Sequence, residues 1–543
     1  MRFNCDSEER FFDAQACRAH QTFAASAGMR NLILVLGDQL DEHSSAFDGF
    51  DRTADAIWMA EVEEELVHVW CHKLRIAFFL SAMRHFRDRL RARGLRLEYH
   101  ELSENIDRDA GRDFQQVLTK NVGRLRPERL IVVEPGDYRV KSALLDAAHS
   151  LGVPLDIRTD RHFYCSTDEF AQYAAGKSKL VLENFYRYMR RKHKILLEKS
   201  GRPTGGSWNY DKQNRERLKA PLLERIEPRS FPPDEITRSV LELVGRRFAD
   251  HPGSLDRFEL PVTREDALRM LDSFISDALD AFGPLQDAMA IDQPFLFHSR
   301  LSALLNVKLL NPRECVFAAL AAYERKEAAL NSVEGYVRQI LGWREFVRGI
   351  YWHHMPEYAE LNFFDHHQRV PEFFWTGDTD MRCMREVLTS VVANGYAHHI
   401  QRLMVVGLFS LLYGIHPRLF HEWHMAMYLD AIDWVSLPNA LGMSQFADGG
   451  IIGTKPYCAS GHYIDRMSNY CSACRYDPKL ATGARACPFT TLYYDFLDRH
   501  FDRLKANSRL KFQLLNIEQK RKDANTLDQI RERVCELLGR WDT

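Results

Sequence analysis

Cys471, Cys474 and Cys487 stand in the spacing C-x2-C-x12-C, and Pro488 follows the last of them. A two-residue gap lets two sulfurs reach one centre, so the group has the form of a metal site. Two kinds of centre fit it. Zinc takes four nitrogen or sulfur ligands in a closed tetrahedron. An iron–sulfur cluster takes four thiolates, often with a proline after the last. Both need a fourth ligand: His462 and Cys458 lie close in the chain, and Cys383 lies further away. The plainer alternative is three buried cysteines packing as small hydrophobes. Spacing alone leaves zinc and iron–sulfur open.

A thiolate centre suits the compartment that the chain suggests. The N-terminal stretch MRFNCDSEERFFDAQACRAH is charged and has no continuous apolar segment, so it does not read as a signal peptide. No run of about 18 apolar residues suggests a membrane span. Cytoplasm is therefore the expectation, and there cysteine pairs bind metal or react rather than form disulfides. A length of 543 residues implies two or three domains, and 45% apolar with 27% charged residues is ample for a large soluble core. A net charge of −2 gives no global attraction to nucleic acid or membrane, so any such contact must come from local charge.

The elements that must position these cysteines fall into two halves. Residues 1–28 differ in character from the rest of the chain and read as a helical extension, a disordered arm or a stretch before an alternative start. Over 29–160, apolar strand-like segments at 32–37, 56–62, 95–102, 129–135 and 153–160 alternate with helical patterns such as 73–93. That order predicts a Rossmann-like α/β domain with a parallel sheet covered on both faces. The first strand ends in Gly-Asp-Gln-Leu rather than G-x-G-x-x-G, so any ligand binds at the carboxyl ends of the strands by another mode. Residues 161–228 read as an interdomain connector holding a basic helix and the loop GGSWNYDKQNR. From 229 to 515 apolar residues recur at three and four positions, as in 265–282 and 332–352, which predicts a large all-α domain, followed by a helical tail at 516–543.

Three stretches of the helical half resemble the photolyase/cryptochrome superfamily: HSRLSALLNVKLLNPRE (298–314), GWREFVRGIYW (342–352) and AHHIQRLM (397–404). The nearer resemblance is to its bacterial iron–sulfur branch, the prokaryotic (6-4) photolyases, over roughly residues 29–515. It implies a DNA photolyase, a monomeric lyase that repairs (6-4) photoproducts in UV-damaged DNA by light-driven electron transfer from reduced FAD. It implies a [4Fe–4S] cluster held by Cys383, Cys471, Cys474 and Cys487, with Cys458 as the rival for the fourth place. FAD would be held by His298, Ser299, Leu301, Ser302, Gln339, Trp343 and Arg344. An Arg402–Asp430 pair would lie beside the isoalloxazine, and Ser436 would face flavin N5 where close relatives carry an acid. His399, with His398 beside it, would serve as general acid, because repair of a (6-4) product moves an OH or NH group between bases. Animal enzymes carry a further histidine where this chain has Leu403. Trp375 and Trp423 would form an aromatic route from surface to flavin, His424 replaces a relative's tyrosine, and Tyr463 would face the cluster or the flavin.

The N-terminal half resembles an antenna domain. Asp38 and Glu65 would anchor 6,7-dimethyl-8-ribityllumazine. Arg187, Arg190, Arg191, Lys192 and Lys194 would neutralise DNA phosphates, and Asp211 would help hold Mg2+. Two other functions share parts of this pattern: a cryptochrome-type blue-light receptor with the same cofactors, and an iron–sulfur nucleic-acid-binding module without photochemistry. A plain binding module has no use for the Ser-x-Leu-Ser turn or for Arg402 and Asp430.

Overall fold

A computed structural model describes residues 28–217 and 229–541, so the expectation for 1–28 falls almost wholly outside the described residues. Five parallel strands form one sheet: β1 (Asn31–Leu34), β2 (Asp55–Ala60), β3 (Leu97–His100), β4 (Arg129–Val133) and β5 (Leu155–Arg158), in the order β3-β2-β1-β4-β5. β1 pairs with β2 and with β4, Ile33 lying opposite Ile57 and Ile131. All six residues of β2 are buried, as the continuous apolar run of a sheet covered on both faces requires. Each strand occupies part of its expected window and stops where the chain turns toward a helix.

The Lys73–Ala92 helix starts where His72 Nδ1 accepts a hydrogen bond from Leu74 N at 3.0 Å, and it ends before Gly94, which takes φ +68°. The Glu235–Arg247 helix packs on it, so the α/β layer recruits a helix from beyond the connector.

The helical half departs from the sequence reading in its continuity. The pattern at 265–282 is two helices, Arg264–Asp277 and Leu279–Leu285, broken at Ala278. The pattern at 332–352 is Leu330–Val337 and Glu345–His354 joined by a π-helical turn, Arg338–Arg344. Further π turns occupy Arg402–Gly407 and Pro438–Ser444. A π turn inserts one residue and shifts the apolar phase, but these segments are buried on nearly every face, so no polar stripe reveals it, and such turns concentrate at functional sites. The C-terminal helices Lys511–Arg521 and Ala524–Trp541 pack on Pro488–Arg499, with the Trp541 ring 5.1 Å from Phe409.

The two halves share one core. The carboxyl edge of the sheet faces the helical domain: Leu40 N donates to Val307 O at 3.0 Å and Trp434 N to Gly136 O at 3.2 Å. His72 adds a backbone bond to Ala426 O and a ring bond to Val392 O, both 2.8 Å.

Candidate active site and cysteine centre

Two motif segments, 298–314 and 397–404, converge around Arg402 with the stretch that carries Tyr428 and Asp430. Its Nη1 and Nη2 donate to the two carboxylate oxygens of Asp430 at 2.9 and 3.2 Å, and its Nε to Ala397 O at 2.6 Å. Its guanidinium lies 3.9 Å over the Tyr428 ring. Burial opposes ionisation of Asp430, but Arg402 and the Ser302 hydroxyl together hold its carboxyl below the usual range. Asn306 Nδ2 donates to Asp430 O at 2.8 Å, so the Ser302–Asn306 helix is fastened to this pair. Ser299 Oγ accepts from Leu301 N at 3.4 Å, Leu301 is buried, and Arg300 between them takes φ +56°, which bends the turn.

Beside this pair stands a group of buried polar atoms without partners. The rings of His298 and His398 stack with centroids 4.3 Å apart, leaving Nε2 of His298 and both nitrogens of His398 unpaired. The rings of His424 and Tyr428 lie 4.4 Å apart, and His424 Nδ1 and the Tyr428 hydroxyl are unpaired as well. Each such group costs roughly 1–3 kcal/mol if nothing meets it, so their concentration marks a place built for a polar ligand. His399 is exposed within the recess yet ringed by protein, and burial followed by the charge of Arg402 pushes it down to about 4. Ser436 is buried on the short Asp433–Leu437 helix.

The π turn Arg338–Arg344 carries three further expected residues in different settings. Gln339 Nε2 donates to Gly335 O at 3.0 Å, and Trp343 packs edge-on to Phe346 at 6.3 Å. Arg344 points toward the sheet domain, over Phe163 at 4.4 Å and Trp434 at 4.8 Å, and donates to Leu305 O at 3.2 Å. Its Nε and Nη1 are unpaired, and burial lowers its pKa to about 10.

Cys383, Cys471, Cys474 and Cys487 line one small apolar cavity. Cys458 and His462 do not line it. Four thiols share this one cavity, and among the described residues no three His, Cys, Asp or Glu side chains are placed to hold a single ion. Cys383 sits on the first turn of the Arg382–Asn394 helix and Cys487 is the N-cap of Pro488–Arg499. A Cβ at Gly461 would lie 2.8 Å from Cys487 Sγ, so glycine is needed for the approach. Burial pushes the Cys383, Cys471 and Cys487 thiols up, Cys487 to about 11, which disfavours free thiolates there. Tyr470, also on the cavity wall, accepts from Gln401 Nε2 at 3.2 Å, and Gln401 Oε1 accepts from His398 N at 3.0 Å. Met289 N donates to Met467 O at 3.0 Å and Ile291 N to Asn469 Oδ1 at 2.9 Å. The cysteine loop thus braces both the histidine pair and the segment leading to Ser299.

Trp423 is buried, 5.1 Å from Phe374 and 5.5 Å from Tyr428. Trp375 follows Phe374 in the chain and lies 5.2 Å from Trp70. Tyr463 lies under Arg466 at 5.5 Å, and its hydroxyl is raised by burial and by Asp287, on the side of the 205–215 loop rather than at Arg402.

The basic stretch divides. Arg190 is buried and donates to Ile195 O at 3.2 Å and Trp208 O at 2.7 Å, which makes it a brace. Arg187 pairs with Glu183 and Lys192 with Glu169. Arg191 and Lys194 are exposed, and Arg191 lies 4.7 Å over the Trp208 ring. The oxygens of Asp211 face Arg338 and Arg215, so a cation there would have to displace an arginine.

At the sheet edge, Asp38 follows β1 beside Gly136, which follows β4, so it marks the switch point of the strand order. Burial raises the Asp38 pKa against the opposing charge of Lys308. Glu65 is saturated by Arg139, with two bonds of 2.8 Å. Sequence reasoning missed Tyr428, Gln401 and Trp70. Tyr428 stands two residues before Asp430, a detectable signal, but nothing in the local sequence marks Gln401 or Trp70.

The parallel sheet joined to a helical domain with this pocket defines the fold of photolyases and cryptochromes. A bacterial class III photolyase from Agrobacterium tumefaciens superposes with a TM-score of 0.54, over 82% of this chain and 87% of its own, at 15% identity. A cryptochrome from Synechocystis superposes with a TM-score of 0.51, over 78% and 83%, at 14% identity. A family model described as deoxyribodipyrimidine photo-lyase-related protein matches residues 33–260. The chain belongs to the (6-4) photolyase family: it is 48% identical over 482 residues to a (6-4) photolyase of Agrobacterium fabrum, a match covering 89% of this chain and 94% of that one. The family implies FAD. The unpaired atoms of His298, His398, His424 and Tyr428 around Arg402 are the partners that a flavin's carbonyls, ring nitrogens and hydroxyls require. Among the described residues no helix is long and apolar enough to cross a membrane.

Proposed function

We propose that this protein repairs (6-4) pyrimidine–pyrimidone photoproducts in DNA, using light and reduced FAD. The observation that carries the reading is the coincidence, in one recess, of the Arg402–Asp430 pair with His399. Reduced FAD, when bound, supplies the light-driven electron to the lesion and takes it back. The protein's part is electrostatic and geometric. Arg402, kept charged by Asp430, favours negative charge on the bound ring. Ser299 and Ser302 offer hydroxyls for the pyrophosphate, and His298, Leu301, Gln339, Trp343 and Arg344 enclose or brace the cofactor. The Ser436 hydroxyl donates or accepts a hydrogen bond, but it does not hold a proton as a carboxyl would.

Burial and the charge of Arg402 favour the neutral form of His399 in its present surroundings. Negative charge brought by the lesion and its phosphates raises its proton affinity, so it gains its proton as the substrate docks, with His398 holding the turn. Cys383, Cys471, Cys474 and Cys487 hold a [4Fe–4S] cluster whose role is to brace the pocket. Trp375 and Trp423 carry electrons to the flavin, while Tyr463 lies on the side of the 205–215 loop and takes no part in the route. Asp38 and the Glu65–Arg139 pair border an antenna site for 6,7-dimethyl-8-ribityllumazine. Arg191, Lys194 and Trp208 face the DNA backbone, the enzyme acts as a monomer, and it works in the cytoplasm. A site for Mg2+ at Asp211 requires its two arginine partners to move.

Blue-light product analysis tests this. Reduced protein is given two oligonucleotides, one with a single (6-4) product and one with a cyclobutane dimer. Restoration of the first alone, abolished in His399→Ala with FAD retained, is expected. Repair of the dimer alone defeats the assignment, and repair of neither, with photoreducible FAD bound, makes the protein a receptor.

A further inference from the structure

The aromatic route through Trp423 and Trp375 continues by one ring that belongs to the other domain. Trp70 lies in the turn between the Glu63–Val67 and Lys73–Ala92 helices, with 46% of its surface exposed. Its ring centroid is 5.2 Å from that of Trp375, at an interplanar angle of 50°. The turn is held against the helical domain on several sides. His72 N bonds to Ala426 O at 2.8 Å, on the helix that carries Trp423, and the His72 ring bonds to Val392 O at 2.8 Å. Arg75 Nη2 donates to Ala431 O at 3.0 Å, and the Cys71 carbonyl meets His251 Nδ1 at 2.8 Å. An exposed indole is thereby locked against a second, half-buried indole, whose chain neighbour Phe374 lies 5.1 Å from Trp423.

We propose that Trp70 is the solvent-side terminus of the aromatic route, the residue through which electrons from an external thiol enter the helical domain. The proposal rests on the flavin reading above. Trp423 gives one electron to the photoexcited oxidised flavin, Trp375 refills Trp423, and Trp70 refills Trp375. The Trp70 radical cation then releases its indole N–H proton to water, which its exposure permits. A thiol transfers one hydrogen atom to the neutral Trp70 radical, restoring the indole and leaving a thiyl radical. Trp375 is half-buried, so without Trp70 its radical releases a proton to bulk water less readily and returns its electron vacancy inward.

The molecule contains its own control. Trp541 also reaches this aromatic core, but its ring neighbours are Phe373 at 6.1 Å, Phe409 at 5.1 Å and Tyr413 at 5.6 Å, with no indole among them.

The test uses the full-length, FAD-loaded protein and the variants Trp70→Phe, Trp375→Phe, Trp423→Phe and Trp541→Phe. Three quantities are read: light-driven flavin reduction by added thiol, the lifetime of the deprotonated tryptophan radical, and the residue carrying a spin-trap adduct in peptide mass spectrometry. Trp70→Phe is expected to slow reduction, shorten the radical lifetime and remove the adduct at position 70. Trp541→Phe changes none of these, and repair by chemically pre-reduced Trp70→Phe matches the parent, which also shows that it folds. Unchanged lifetime and reduction in Trp70→Phe, with Trp375→Phe impaired, overturns the proposal and spares the route. Unimpaired reduction in Trp375→Phe and Trp423→Phe overturns both.

Discussion

The pocket around Arg402 and the carboxyl edge of the sheet are both polar, but they solve burial differently. At the sheet edge charges satisfy one another: Glu65 with Arg139, Asp160 with Lys308 at 2.8 Å, and Glu134 with Arg348 at 2.5 Å. In the helical pocket only Arg402 and Asp430 are paired, while His298, His398, His424 and Tyr428 keep unpaired atoms. A region that closes its own hydrogen bonds stands without a ligand, whereas one that leaves them open depends on what fills it. What fills the helical pocket thus contributes to the fold's stability, whereas the sheet edge belongs to a finished domain.

The cysteine centre offers the strongest way to break that contrast. Cys383→Ser should lose iron and the visible absorption of the cluster, and it should lose FAD with them, because the loop braces His398 and Ile291. Cys458→Ser should retain both. Iron analysis and flavin absorbance decide it, and loss of iron in Cys458→Ser with retention in Cys383→Ser reverses the ligand assignment.

Arg402→Ala leaves Asp430 charged and buried, at a cost of about 3–5 kcal/mol. Thermal unfolding should show that loss together with reduced flavin content. Arg402→Lys should restore part of the stability but little of the flavin, since it loses the two-pronged grip.

Acid should act on the contact between domains. Burial lowers His72 to about 4, while its bond to the Val392 carbonyl opposes the shift. The unfolded chain therefore binds a proton that the folded one refuses between about pH 6.5 and 4. Stability from this residue is complete above that window and falls as pH drops through it, by on the order of 3 kcal/mol. His72→Gln should flatten that part of the unfolding curve, and an unchanged acid slope would remove His72 as the cause.

The smallest effect belongs to the sheet edge. Arg139 is 38% exposed, so Glu65→Gln should cost about 1 kcal/mol or less. It should leave repair under direct excitation intact while reducing retention of lumazine. A large loss of stability or of flavin there would erase the distinction between the two regions.

Much of this was legible in the sequence. Apolar periodicity placed all five strands and the Lys73–Ala92 helix, because burial of a strand or helix face is written within a few consecutive residues. The C-x2-C-x12-C spacing pointed to sulfurs gathered at one place, and Cys471, Cys474 and Cys487 do share a cavity; Arg402 and Asp430, expected as a pair, are one. The π turns at 338, 402 and 438 were invisible, since these segments are buried on nearly every face and carry no polar stripe to report the shift in phase.

What only the tertiary structure decided was partnership. Local sequence could not rank Cys383 above Cys458, because nearness along the chain does not measure nearness around a cavity. It counted Arg190 with the phosphate-facing residues, although backbone carbonyls take up its guanidinium. It left Trp70 unnoticed, because its significance is a ring from another domain, 305 positions away, at 5.2 Å. Residue type and spacing determine which chemistry a chain can perform. Packing between distant segments determines which of those groups meet, since only there are charges desolvated, rings brought into contact and ligands brought together.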